Sequence, residues 1–204
     1  MTDTHAQRYF QAAADIAAGI DPAQIDELAR GLARVRERGG RLFILGVGGG
    51  AGHASHAVND FRKLCAIESH APSDNVSELT ARINDDGWDT SYLNWLRVSK
   101  FGGDDGLLVF SVGGGSREHN VSVNLVNAIE QAKELGAFVC GVVGSPGGTL
   151  AELADVAVIV PTPPDLKTPL VESFQAVVWH AVVSHPELAA TRGHWETITG
   201  ARSA

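Results

Sequence analysis

The 204-residue chain has only two cysteines, Cys65 and Cys140. They sit in apolar stretches and form no Cys-x-x-Cys, which argues against a disulfide-stapled scaffold and fits a reduced, cytoplasmic protein. No run of 18 apolar residues occurs, so no membrane-spanning helix is expected. Residues 1–20 include Asp3, Arg8 and Asp15 and lack an uninterrupted apolar segment, so no signal peptide is expected. Lys and Arg form no run, and the formal net charge is -8. Nucleic acid and acidic membrane are therefore not expected as partners. An anionic ligand remains open, because helix N-termini and backbone N–H groups bind anions without net positive charge.

What is present suits a buried core. Hydrophobic residues make up 44% of the chain, enough for one domain over residues 1–204. Its expected parts are N-terminal helices (1–38), an α/β core (39–185) and a C-terminal tail (186–204). Tyr9, Phe10, Ala13, Ile16 and Ala17 share one side of a helix over 4–18. Asp21-Pro22 reads as an N-cap with proline at N1, followed by the stripe Ile25, Leu28, Leu32, Val35. Gly39-Gly40 ends that helix. Strands are expected at 41–46, 65–71, 106–112, 137–143 and 156–160. Helices are expected at 50–64, from 75 or 77 (with Val76, Leu79 and Ile83 buried), and at 90–99, 117–135, 149–153 and 170–183. Residues 84–87 read as a loop, and 161–169 as a proline-rich one. Continuously apolar strands alternating with helices predict an open parallel sheet covered on both faces.

Two glycine turns follow buried strands, at 46–50 and 113–115. Each lets backbone approach a ligand closely and aims a helix N-terminus at it. In open α/β sheets, ligands bind at such carboxyl ends. Ser111 and Ser116 flank the second turn and could donate hydroxyls to a phosphate; Ser116 reads equally well as an N-cap. Gly46-Val47-Gly48-Gly49-Gly50-Ala51 also satisfies the dinucleotide pattern G-x-G-x-x-A, with Glu68 near the distance of a ribose-binding acid. Against that reading stand His53, His56 and Asp60 on the next helix, which dinucleotide binding does not need.

His56 and Asp60 are spaced i, i+4 and project from one helix face, a metal-ligand spacing. Glu172 and His180 lie on the last helix. Any one of these alone is more often a hydrogen-bonded structural residue. Residues eight apart on a straight helix differ by about 12 Å in rise. Glu172 and His180 therefore reach one ion only if Glu172 precedes the helix proper, or if ligands come from different subunits. Asn84-Asp85 could cap helices or contact a polyol.

Taken together, the 46–50 turn, His56-x-x-x-Asp60, Asn84-Asp85, the 111–116 turn, and Glu172 with His180 resemble the sugar-isomerase (SIS) family, and within it the phosphoheptose isomerases. The similarity runs over about residues 8–185 in order and spacing. It implies a three-layer α/β/α sandwich with an open parallel sheet, the SIS fold, plus an N-terminal helical extension. It also implies an aldose–ketose isomerase that turns sedoheptulose 7-phosphate into D-glycero-D-manno-heptose 7-phosphate through an enediol. The implied assembly is a homotetramer (or dimer), and the implied cofactor is zinc or another divalent metal. Carried over, the metal ligands are His56, Asp60, Glu172 and His180, and the catalytic pair is His180 and Asp60. The substrate contacts are Val47, Gly48, Gly49, Asp60, Asn84, Asp85, Ser111, Val112, Gly113, Ser116 and Glu172. Asp60 and Glu172 stand where the family has Glu and Gln. The family's Ser-Thr-Ser-Gly-x-Ser is here Ser111-Val112-Gly113-Gly114-Gly115-Ser116, two hydroxyls fewer, with Arg117 and His119 as candidate replacements. The weaker phosphate turn leaves a non-catalytic sugar-phosphate regulator or scaffold as the alternative.

Overall fold

A computed structural model describes residues 3–191; most of the expected tail lies outside the described residues. Five parallel strands form one sheet in the order β2-β1-β3-β4-β5. They are β1 (Leu42–Gly46), β2 (Ser69–His70), β3 (Gly106–Ser111), β4 (Phe138–Gly144) and β5 (Val156–Val160). Alternate side chains of each strand feed opposite faces, as the pleat requires. Leu42, Ile44, Leu108, Phe110, Cys140 and Val142 enter one core. Phe43, Leu45, Leu107, Val109, Val139 and Val143 enter the other.

On the first face lie α2 (Pro22–Glu37), α3 (Gly49–Cys65) and α8 (Lys167–Val183). On the second lie α5 (Trp88–Val98), α6 (Val123–Glu134) and α7 (Gly148–Leu153). This is the expected three-layer sandwich. Of the two N-terminal helices, α1 (His5–Gly19) starts on a Thr4/Gln7 capping box and buries only Ile16. Helix α2, entered through Asp21 and Pro22, belongs to the helical layer and buries Leu28, Leu32 and Val35. No helix among the described residues is long and apolar enough to cross a membrane.

Five expectations change. The second strand shrinks to Ser69–His70, because α3 runs on through Cys65 and ends on Ala66 in the left-handed conformation. Residues 84–86 belong to α4 (Val76–Asp86), and the loop is reduced to Gly87 at φ 83. Helix α4 buries none of its residues, and Val76 is 69% exposed. Helix α6 starts at Val123, not 117: Ser116 and Val121 form an antiparallel bridge, and Asn120 and Ser122 take φ of 52 and 49. A right-handed helix cannot pass through left-handed residues. Helix α8 begins at Lys167 and includes Pro169 in its first turn, where a missing N–H costs no helical bond.

Candidate active site

The strand order reverses between β1 and β3, and both glycine turns leave the sheet there. This is the crevice where open α/β sheets bind ligands. In the first turn Gly48 holds φ 59, ψ -122, a combination open to glycine. Val47 is half-buried, while Gly48 and Gly49 are exposed. The Tyr92 hydroxyl donates to the Gly46 carbonyl at 2.6 Å and fixes the end of β1. Burial pushes the Tyr92 phenol up to about 12, so it stays a donor. Glu172 covers the same turn from α8. A methyl group added at Gly49 would stand 2.5 Å from Glu172 Oε2. A carboxylate thus already faces the N-terminus of α3, where the helix dipole favours it.

The second turn is built on itself. The Ser111 hydroxyl accepts from the Gly114 N–H at 2.9 Å, and the Ser116 hydroxyl accepts from the His119 N–H at 3.2 Å. Gly114 sits at φ 80 against the Gly147 carbonyl, leaving no room for a side chain. The carbonyls of Gly114 and Gly115 accept from Leu150 and Thr149 and so satisfy the first N–H groups of α7. Val112 is half-buried and Gly113 exposed. Ser116 does not cap α6, whose flanking residue is Ser122. Arg117 pairs with Glu130 and Asn127, so its guanidinium is engaged away from the turn.

Between α3 and α8, His56, Asp60 and His180 converge, one ligand atom from each lying within 4.8 Å of the others. Asp60 Oδ2 stands 3.6 Å from His56 Nε2 and 3.6 Å from His180 Nε2. These separations are too long for hydrogen bonds. Two ligands of a tetrahedral ion with bonds of about 2.0–2.1 Å stand about 3.4 Å apart, so the spacing suits a shared ion. The tautomer of His180 agrees. Its Nδ1 lies 2.7 Å from the Ala176 carbonyl, which only accepts, so Nδ1 carries the proton and Nε2 offers a lone pair. Both imidazoles are exposed and Asp60 is buried.

Other expected site residues fall elsewhere. Glu172 lies inside α8, two turns before His180, and is not in this group; the notion that it precedes the helix is excluded within one chain. Asn84 and Asp85 are exposed on the last turn of α4, where the Asn84 amide donates to Asp85. They cap neither helix: Asn75 caps α4, and Gly87 precedes α5. Glu68 precedes β2, level with the start of β1, and pairs with His70 at 2.9 Å. It is a strand's length, about 13 Å, from the Gly46 turn, so the dinucleotide reading loses its ribose acid. His53 turns to Gln175, with Nδ1 at 2.8 Å from Oε1.

Two hydrogen bonds at these elements are not visible in the sequence. Trp179 reads as one more apolar residue of α8, yet its indole donates to Asp60 Oδ2 at 3.0 Å. Tyr92 reads as core, yet it anchors the first turn. The sign available for Trp179 was an indole donor immediately before His180, on a buried helix where that donor needs an acceptor.

No protein-family model matches the chain. Among curated proteins, it is 39% identical over 160 residues to the lincomycin biosynthesis protein LmbN of Streptomyces lincolnensis, covering 72% of this chain and 56% of that longer one. It is 31% identical to a probable phosphoheptose isomerase of Thermoplasma volcanium, covering 74% of this chain and 76% of that one. The phosphoheptose isomerase of Rhodospirillum rubrum is 31% identical over 179 residues, 84% of this chain and 90% of that one. In structure, the Francisella tularensis phosphoheptose isomerase superposes with TM-score 0.76 at 22% identity, covering 89% and 97% of the two chains. Its Neisseria gonorrhoeae counterpart GmhA gives 0.75 at 24%, covering 87% and 94%; both share the fold. On identity over most of their mutual length with the curated isomerases, and on the sandwich shared with the two solved structures, this chain belongs to the phosphoheptose isomerase family, phosphosugar isomerases of the SIS fold.

Proposed function

We propose that this chain converts sedoheptulose 7-phosphate to D-glycero-D-manno-heptose 7-phosphate through an enediol. The observation that carries the reading is the His56–Asp60–His180 cluster beside the β1/β3 crevice, with two Nε2 atoms at 3.6 Å from one carboxylate oxygen. Ketose-to-aldose conversion removes a proton from C1, shifts one between the two oxygens, and returns one to C2. His180 Nε2 is the proton-accepting base in the ion-free state, and Asp60 Oδ2 is the acid/base partner between the oxygens. The donor set also fits zinc or a similar divalent ion, held by His56, Asp60 and His180. When bound, such an ion supplies polarisation of the carbonyl oxygen.

His180 has one free ring nitrogen, since Nδ1 is engaged with Ala176. One lone pair cannot hold an ion and take a proton in the same state, so chelation separates the roles. Turnover lost with the metal and restored with zinc assigns Nε2 to the ion. Turnover kept in chelator assigns it to the proton.

The substrate's orientation follows from charge. Glu172 already places a carboxylate on the first turn, and a phosphate there would be repelled. The phosphate therefore goes to the 111–116 turn, beside Ser111, Val112, Gly113 and Ser116, with the polyol toward Val47, Gly48, Gly49 and Glu172. Asn84 and Asp85 contribute to substrate contact from a neighbouring copy. Self-association to a homotetramer or dimer is supported by exposed apolar residues on α1 and α8, Phe10 at 72% and Val177 at 55%. The setting is the cytoplasm. The test is incubation with sedoheptulose 7-phosphate: appearance of the aldose supports the reading, and none with zinc supplied would contradict it.

A further inference from the structure

The two oxygens of Asp60 have different partners. Oδ1 accepts from the Asn59 amide at 3.1 Å. Oδ2 accepts from the Trp179 indole N–H at 3.0 Å and also faces both imidazoles at 3.6 Å. An indole N–H only donates. It takes one side of Oδ2 and leaves the other for the gap between His56 and His180. Asp60 is 8% exposed and Trp179 2% exposed, so water cannot readily stand in for either partner. The indole cannot swing away. Its ring packs against Phe110 of β3 at 5.5 Å, His53 at 5.2 Å, His56 at 5.3 Å and His180 at 4.9 Å between centroids.

We propose that Trp179 is a positioning residue: its indole N–H holds Asp60 Oδ2 at the gap between His56 and His180, and thereby sets the divalent-ion affinity of the three residues and the rate of the proton transfer. This rests on the assignment of Asp60 to the reacting group. Without the donor, the carboxylate is free to turn about its side-chain bonds toward other partners, and the ligand oxygen leaves the gap. Outer groups that orient a ligand typically change metal affinity or activity by about 10–100-fold. Trp179 does not touch the substrate in this account, so its loss acts on turnover rather than on substrate binding.

The test uses Trp179→Phe in the full chain, which keeps an aromatic ring and removes the donor. In metal-free protein, calorimetric titration with zinc should show Kd weakened by about 10-fold or more. With sedoheptulose 7-phosphate, kcat should fall by a similar factor while KM stays within about 3-fold. A second measurement needs no folded Trp179 variant. In protein labelled with 15N at tryptophan, Asp60→Asn should shift one buried indole N–H resonance, that of Trp179, relative to the parent. Zinc affinity and kcat equal to the parent in Trp179→Phe, or an indole resonance indifferent to Asp60→Asn, would overturn the proposal. A parent protein that binds zinc but turns over no sedoheptulose 7-phosphate would sink the proposed reaction alone, because affinity and resonance still report the hold on Asp60.

Discussion

At the scale of single residues, the chemistry depends on where lone pairs are left free. His180 gives its Nδ1 proton to Ala176, and Asp60 spends one side of Oδ2 on Trp179. What remains is a lone pair on His180 Nε2 and one on Asp60 Oδ2 facing the gap beside His56 Nε2, a donor set suited to a proton or a cation. Removing His180 removes one of them without opening the core, because its side chain is exposed. His180→Ala should therefore lower kcat by about 10²-fold or more, with a melting temperature close to the parent's. Turnover at the parent rate would remove His180 from the mechanism. Of this cluster, His56, Asp60 and His180 were legible in the sequence as chemistry-bearing side chains on two helices. The part played by Trp179 was not, because apolar periodicity says that an indole is buried and not which acceptor its N–H finds. The sequence marked Glu172 as a candidate ligand but not its place: eight residues of straight helix keep it from the cluster and set it over Gly49.

At the scale of elements, the site is assembled by what holds the two turns. Helix α5 reaches across to β1 through Tyr92, whose hydroxyl satisfies the buried Gly46 carbonyl. Tyr92→Phe should destabilise the chain by about 1–2 kcal/mol, as expected for an orphaned buried acceptor. The phenol also gives a pH dependence. Its pKa is raised from 10.0 to about 12 by burial. Its contribution is intact below pH 10 and is lost as pH rises from 10 toward about 12, because the unfolded chain releases the proton first. The Cys65 thiol, also pushed up to about 12 by burial, titrates in parent and variant alike and cancels in their difference. Denaturant unfolding of both proteins from pH 8 to 12 should show the gap between them closing above pH 10; a constant gap would contradict the assignment. Most elements were readable from apolar runs and from Asp21-Pro22 and Gly39-Gly40. The failures share a cause. Helix α4 is only half-covered, with Leu79 against the second core and Val76 left in solvent, and α6 starts late because a Ser116–Val121 bridge closes the preceding turn. Both depend on contacts that local pattern does not encode.

At the scale of the whole molecule, the reversal of strand order between β1 and β3 brings the ends of two distant chain segments together. The His56–Asp60–His180 cluster then stands on α3 and α8, the helices of the first face. Helix α8 also carries Val177, 55% exposed and next to an apolar groove formed with Ala17, Ile20 and Ile25. If copies associate across this face, Val177→Glu should move the sedimentation coefficient toward the monomer's, because a buried unpaired charge is costly. An unchanged coefficient would place the interface elsewhere. The central claim is that this assembled site moves a carbon-bound proton of a ketose phosphate. Its most direct measurement is carbon and proton NMR of sedoheptulose 7-phosphate incubated with the zinc-supplied protein in D2O. The account predicts an aldose 7-phosphate, with deuterium at C2 to the extent that the base exchanges its proton with solvent before returning it; unaltered ketose would contradict it.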